Sequence, residues 1–347
     1  MATREEVIAA FDPNGVGQLG KLFGLPFDTD NSQVVVIPVP WEVTVSYRAG
    51  TAAGPEAILE ASPQIDYHDF DIQDAWKKGI ALHESPAAWQ ERSDALRPLA
   101  SAYIQELEDG APVDPNHEVV QKINAATEEL KAELRSIATG YLSKGQIPVV
   151  LGGDHSTPLG LMEALASHHG DFGILQVDAH ADLREAYEGF RYSHASIMYN
   201  ALQLPQVSQL VQVGIRDICQ EEVQRAKDSQ GRVVIYPETK RREEQYLGKT
   251  WEEQCQQIVA SMPKKVYVSF DIDGLDPKLC PHTGTPVPGG LEFEEAVHLI
   301  RTLVKSGREI IGADLCEVAP GEDDWDGNVG ARVLYKLCSW VAHSKNQ

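Results

Sequence analysis

Seven short runs of β-branched and aliphatic residues punctuate the chain: "VVVIPVP" (34–40), "IPVVLGG" (147–153), "FGILQV" (172–177), "LVQVGI" (210–215), "VVIY" (233–236), "KKVYVSF" (264–270) and "REIIGADL" (308–315). They are near-continuously apolar, as strands buried on both faces are. Between them, residues 120–145, 157–169, 251–261 and 292–306 repeat apolar positions at helical spacing. Alternation of strand and helix predicts an α/β fold, a three-layer αβα arrangement around a mainly parallel sheet. Residues 71–130 break the rhythm. They carry Trp76, Trp89, several prolines and helical patches such as "ALRPLASAYIQEL", but no strand pattern. We read 1–347 as a single domain in which 71–130 is a helical insertion or lid.

Polar residues stand where the apolar runs end. "FGILQV" leads into Asp178, His180 and Asp182 at two-residue spacing, so on an extended chain these side chains share one face. "KKVYVSF" leads likewise into Asp271 and Asp273, and "IPVVLGG" into Asp154 and His155. In a parallel sheet all these strand ends meet at one rim, where open α/β sheets bind ligands. Two histidines and four aspartates would therefore converge. Without cations such carboxylates repel, and most must hold protons. Two divalent ions remove that conflict. The nitrogen and oxygen donors suit Mn²⁺, with Ni²⁺ or Co²⁺ fitting the same set. An ion pair about 3.5–4 Å apart brings a shared water's ionisation near neutral pH.

Composition narrows the field. Of 347 residues, 42% are apolar and 24% charged, as in soluble globular proteins. The net charge of −22 argues against a nucleic-acid or anionic-membrane partner, since both would repel the chain. The five scattered cysteines form no CxxC pair, which fits a reducing, cytoplasmic setting and argues against a disulfide scaffold or a thiolate metal site. No run approaches a membrane span. A binuclear phosphoesterase would need a GNH-type segment and basic residues for phosphate, and neither is visible.

The chain resembles the ureohydrolases, the arginase and agmatinase family of binuclear manganese amidinohydrolases. "GGDHS" (152–156), "DAHADLR" (178–184) and "SFDIDGLDP" (269–277) carry the resemblance, with "GIRD" (214–217), "TGTPVPGG" (283–290), "CEVAP" (316–320) and "SYRAGTAAGPEAILEAS" (46–62) in support. It implies one ion on His155, Asp178, Asp182 and Asp271, and another on Asp178, His180, Asp271 and Asp273. It further implies Asp182 as proton carrier, His194 as substrate-binding or proton-shuttling residue, and Glu317 as partner of the guanidinium. A homotrimer or homohexamer is expected from the same likeness.

The run "REAYEGFRYSH" (184–194) looks agmatinase-like. Arg184 stands where arginases carry a neutral residue that receives the amino-acid end of arginine. The expected reaction is therefore agmatine to putrescine and urea. Free guanidine or guanidinobutyrate are the alternative substrates, formiminoglutamate a weaker one, and a catalytically silent metal-binding relative the reading from another class. Trp325 and Asn328, after Glu317, are expected to wall the substrate tail, or else Asp323, Asp324 and Asp326 to bind a cationic one.

Overall fold

The computed structural model describes residues 2–345. Eight strands form one sheet: β1 (Val34–Val39), β2 (Ile80–Leu82), β3 (Ile147–Gly152), β4 (Phe172–Val177), β5 (Val207–Val213), β6 (Val233–Tyr236), β7 (Lys265–Asp271) and β8 (Glu309–Cys316). Their spatial order is β2-β1-β3-β8-β7-β4-β5-β6, and every pairing between them is parallel. The seven apolar runs correspond to seven of these strands. The eighth, β2, lies within 71–130, where the sequence pattern gave no strand. Three residues are too few for a periodicity, and β2 pairs on one side only, with β1.

Side-chain alternation divides the core in two. Val149, Leu151, Leu175 and Val177 face one cluster, with helices α9 (Trp251–Ala260), α10 (Phe293–Lys305) and α11 (Trp325–Ser344). Val150, Phe172 and Ile174 face the other, with α3 (Ala87–Glu108), α4 (Glu118–Ser143) and α5 (Leu159–His169). These are the outer layers of the αβα sandwich. In α4 the buried positions Val120, Ile123, Thr127, Leu130, Leu134, Ala138 and Leu142 recur every three or four residues, one stripe of a helix. Truncating fully buried Leu134 to Ala would cost about 2–5 kcal/mol.

The segment 71–130 contributes to this scaffold. Trp76 packs at tilted angles against Phe11, Phe27 and Tyr67, and fully buried Trp89 donates Nε1–H to Glu133 of α4. Neither indole lines the site described next.

Candidate metal centre and substrate cavity

Four neighbouring strands, β3, β8, β7 and β4, end at the same rim, and the loops that leave them carry the polar residues. His155 follows β3, Asp178, His180 and Asp182 follow β4, Asp271 ends β7 with Asp273 just beyond, and Glu317 follows β8. Close approach between the loops depends on glycine. A Cβ on Gly153 would lie 2.1 Å from the Trp41 carbonyl oxygen, so no larger residue fits beside His155.

Among the described residues, two groups of metal-competent side chains face this rim, His155–Asp178–Asp182 and Asp178–His180–Asp273, with Asp178 common to both, and a third, His155–Asp314–Cys316, lies behind His155. His155 Nδ1 lies 3.1 Å from Asp178 Oδ2 and 3.2 Å from both Asp182 Oδ2 and Asp271 Oδ2. His180 Nδ1 lies 3.0 Å from Asp273 Oδ2 and 3.7 Å from Asp178 Oδ1. The geometry thus gathers all six side chains that the sequence pattern singled out. Backbone amides hold the acids in place: His180 N–H donates to Asp178, Ala179 N–H to Asp273 and Asp273 N–H to Asp271.

The orientation of His155 is set from behind. The Ser269 hydroxyl donates to Asp314 at 2.8 Å, so its oxygen accepts from His155 Nε2–H at 2.9 Å; this tautomer follows from the network. Nδ1 is left buried with no hydrogen-bond partner, aimed at three carboxylate oxygens. Burial opposes a charge on this imidazole, but Asp178, Asp182, Asp271 and Asp314 raise its pKa well above the usual value. Around His180 the charges of Asp273 and Asp178 overcome burial and push the pKa up to about 12. Burial and the Asp178 charge push Asp182 up to about 7, and burial with Asp273 and Asp178 raises Asp271 well above the carboxylate range. Without cations, protons would have to reside among these acids. Divalent cations would take the place of those protons, and an orphaned imidazole nitrogen facing oxygen donors fits that exchange.

Asp182 and Glu317 have left-handed backbone, with φ of 55° and 66°. Such conformations cost about 1–3 kcal/mol and persist only where surroundings impose them. The Asp182 carbonyl accepts the amides of Met198 and Tyr199, at the start of a short helix. Glu317 donates its own N–H to Gly153 and accepts at Oε1 from His155 N–H and at its carbonyl from Thr283. Burial, then the charge of Asp154, holds its carboxyl well above the ordinary range.

A cavity of about 310 Å³ opens over these groups. Its lining includes His155, His180, Asp182, Asp271 and Glu317, together with Arg184 and His194. Burial, then the charges of His180 and His155, lowers His194 to about 3, so its ring is neutral. Sequence reasoning missed Ser46, Tyr187, Asp217, Ile218, Cys219, Glu222 and Thr285 in the same lining. Asp217 was within reach of the strand-end rule, since "GIRD" follows β5 directly.

Trp325 and Asn328 are not brought to this cavity. Trp325 opens α11 half-exposed and donates Nε1–H to Lys278, while Asn328 accepts from Arg332 one turn along the same helix. Asp326 is fully buried and bonded to His282 at 2.7 Å, so it does not face a substrate tail. Asp323 and Asp324 are exposed and likewise outside the lining.

A parallel αβα sheet with paired metal-competent clusters under a polar cavity defines a metal-dependent hydrolase. The chain matches the arginase family over residues 32–339, and it belongs to that family. An N(1)-aminopropylagmatine ureohydrolase of Thermus thermophilus is 31% identical over 307 residues, which cover 88% of this chain and 89% of the relative. An agmatinase of Halalkalibacterium halodurans is 30% identical over 298 residues, 85% and 86% of the two chains. Among solved structures, the agmatine ureohydrolase of Thermoplasma volcanium has the same fold, with a TM-score of 0.70 at 22% identity and 99% of each chain covered. The protein is a ureohydrolase of the agmatinase-like branch, a hydrolase of carbon–nitrogen bonds in linear amidines that releases urea from a guanidino compound. Metal dependence comes with the family and agrees with the donor groups. No helix among the described residues is long and apolar enough to cross a membrane.

Proposed function

We propose that the chain hydrolyses agmatine to putrescine and urea, using His155, Asp178, His180, Asp182, Asp271 and Asp273 to hold two divalent ions, Mn²⁺ in the first instance. The observation that carries this reading is the pair of donor groups sharing Asp178 beneath a cavity whose wall includes Glu317. When bound there, two such ions would supply Lewis acidity that brings a water's pKa near neutrality. A guanidinium bound beside Glu317 would favour its charged form, offsetting burial and the Asp154 charge, and leave two carboxylate oxygens for the planar fork. The hydrogen bond that Glu317 accepts from His155 N–H fixes where the guanidino carbon lies relative to the metal ligands.

Asp182 takes a proton from the attacking water and gives it to the nitrogen that departs as the bond between guanidino carbon and tail nitrogen breaks. His194, a neutral ring on the cavity wall, orients the departing amine, which takes up the second proton of the water to leave as ammonium. The net change is one water consumed, one carbon–nitrogen bond cleaved, and urea and an ammonium released.

Substrate choice rests on the far end of the cavity. Exposed Asp217 gives the terminal ammonium of agmatine a partner, while Arg184, stacked over Tyr187 at 4.8 Å, disfavours a longer cationic approach on its own side. The names of the two relatives, an aminopropylagmatine ureohydrolase and an agmatinase, point to the same class of substrate. The test is urea release from agmatine, aminopropylagmatine, guanidinobutyrate, arginine, formiminoglutamate and guanidine, after loading with Mn²⁺, Ni²⁺ or Co²⁺ separately. Agmatine with Mn²⁺ should give the highest kcat/KM, and Asp217→Asn should raise KM for agmatine while leaving guanidine unchanged. No urea from any substrate at full metal load would sink the reading. A homotrimer or homohexamer, checked by light scattering, is the assembly we propose.

A further inference from the structure

Within the "GIRD" segment (214–217) Asp217 faces the cavity, whereas Arg216 has no part in the chemistry above, yet it makes more hydrogen bonds than any cavity-wall residue. Arg216 Nη2 donates to Asp273 O at 2.6 Å, to Leu275 O at 3.1 Å and to Val287 O at 2.9 Å. Nε donates to Val287 O at 3.1 Å, and Nη1 to Gly214 O at 3.1 Å. The backbone of the same residue donates to Ala179 O at 2.9 Å, between Asp178 and His180. One residue therefore touches the loop after β4, the loop after β7 and the "TGTPVPGG" segment at once.

The two ligand-bearing loops meet only because their neighbours are glycines. A Cβ on Gly214 would lie 2.8 Å from Asp178 O, and one on Gly274 would lie 2.7 Å from Asp178 N. Ala179 N–H closes the junction on Asp273 Oδ1 at 2.9 Å. The ligand group spanning this junction is Asp178–His180–Asp273. The other group draws on His155 from β3 and Asp182, and no hydrogen bond of Arg216 reaches either residue. Arg216 also brings a fixed positive charge to the acids: Asp273, Glu238, Asp178 and Asp271 all act on it.

We infer that Arg216 is a positioning residue that assembles one half of the metal centre, the Asp178–His180–Asp273 site, and leaves the His155 site to form without it. This rests on the two-ion reading proposed above. Guanidinium is required because a single ammonium cannot reach Asp273, Leu275, Val287 and Gly214 carbonyls together.

The experiment is Mn²⁺ titration of the chelator-stripped full chain by calorimetry, with bound metal counted by mass spectrometry. The wild type should bind two ions per subunit. Arg216→Met should bind one with affinity within about threefold of the wild type and the second at least about tenfold more weakly, the range seen for outer-shell partners of metal ligands. Far-UV circular dichroism reads the fold, and Arg216→Lys serves the same comparison where the methionine variant fails to fold. Retention of both ions at wild-type affinity overturns the inference, as does equal loss of both from a folded variant. A wild type that binds no metal overturns the two-ion reading and this inference with it, an outcome separate from the other two.

Discussion

Removing one hydroxyl behind the metal centre, Ser269→Ala, tests how its geometry is held. Ser269 links His155 Nε2–H to Asp314 through bonds of 2.9 and 2.8 Å, and all three residues are buried. Alanine leaves the imidazole N–H without its acceptor and Asp314 Oδ2 without its donor. Asp314 keeps the Phe270 amide on Oδ1 at 3.1 Å, so it is not stripped altogether. Losing a hydrogen bond to a charged group costs about 1.5–3 kcal/mol. Outer-shell losses at metal sites cost about 10–100-fold in affinity, or about 1.4–2.7 kcal/mol. The two routes agree, so the ion on His155 should bind about 10–100-fold more weakly while the ion on His180 is spared. Calorimetric titration of the stripped protein reads this directly, and Asp314→Asn should move affinity in the same direction. Mn²⁺ affinity within about threefold of the wild type would refute the argument, because His155 would then be oriented by packing alone.

Asp178→Ala, by contrast, removes the carboxylate common to both donor groups and should abolish binding of both ions together with turnover, read as metal content and urea release. Glu317→Gln keeps shape but loses a charge-assisted pair; kcat/KM should fall about 10–100-fold with metal content unchanged, and an unaltered ratio would remove Glu317 from guanidinium recognition. His169 gives a pH prediction away from the site. Burial, then the positive charges of His168, Lys265 and Lys345, lowers its pKa to about 4 in the folded protein. The unfolded chain takes up that proton near pH 6.5, so it binds more protons than the folded chain between about 6.5 and 4. Stability should therefore fall as pH drops through this window, and His169→Gln should make the urea-denaturation midpoint fall less over it than in the wild type.

The sheet and the metal-competent residues were legible because both follow short-range rules. The central strands are buried on both faces and so read as apolar runs, and the side-chain period of two places Asp178, His180 and Asp182 on one face. The rule that ligands gather at carboxyl ends of parallel strands then gave convergence without a structure. Legibility failed where direction depends on a loop's path. Trp325, Asp326 and Asn328 follow Glu317 closely in sequence, but the chain starts α11 there and turns Asp326 inward onto His282. Cavity-lining residues such as Ser46, Tyr187 and Thr285 lie within family-like segments but in loops without periodicity, so nothing local singles them out as lining. The strand β2 was missed for want of length, and with it the sheet's edge next to β1.

Strand order explains why these loops can build a two-ion site at all. β3, β8, β7 and β4 are consecutive in space although their sequence positions run from 147 to 316. Neighbouring parallel strands lie about 4.8 Å apart, so side chains leaving β3, β7 and β4 fall within one to three strand spacings of each other. That distance is too short for four uncompensated carboxylates and suits a cation between each group of donors. The intervening β8 carries none of the six proposed ligands; its Asp314 and Cys316 group with His155 on the Nε2 side. It supplies Glu317, bent into left-handed backbone so that its carboxyl group accepts from His155 N–H and faces the cavity. The guanidinium anchor is thus tied by one hydrogen bond to a metal ligand. A change that shifts His155 must move both together, so Ser269→Ala should raise KM for the guanidino substrate as well as weaken the metal. A KM unmoved at saturating Mn²⁺ would separate the two functions.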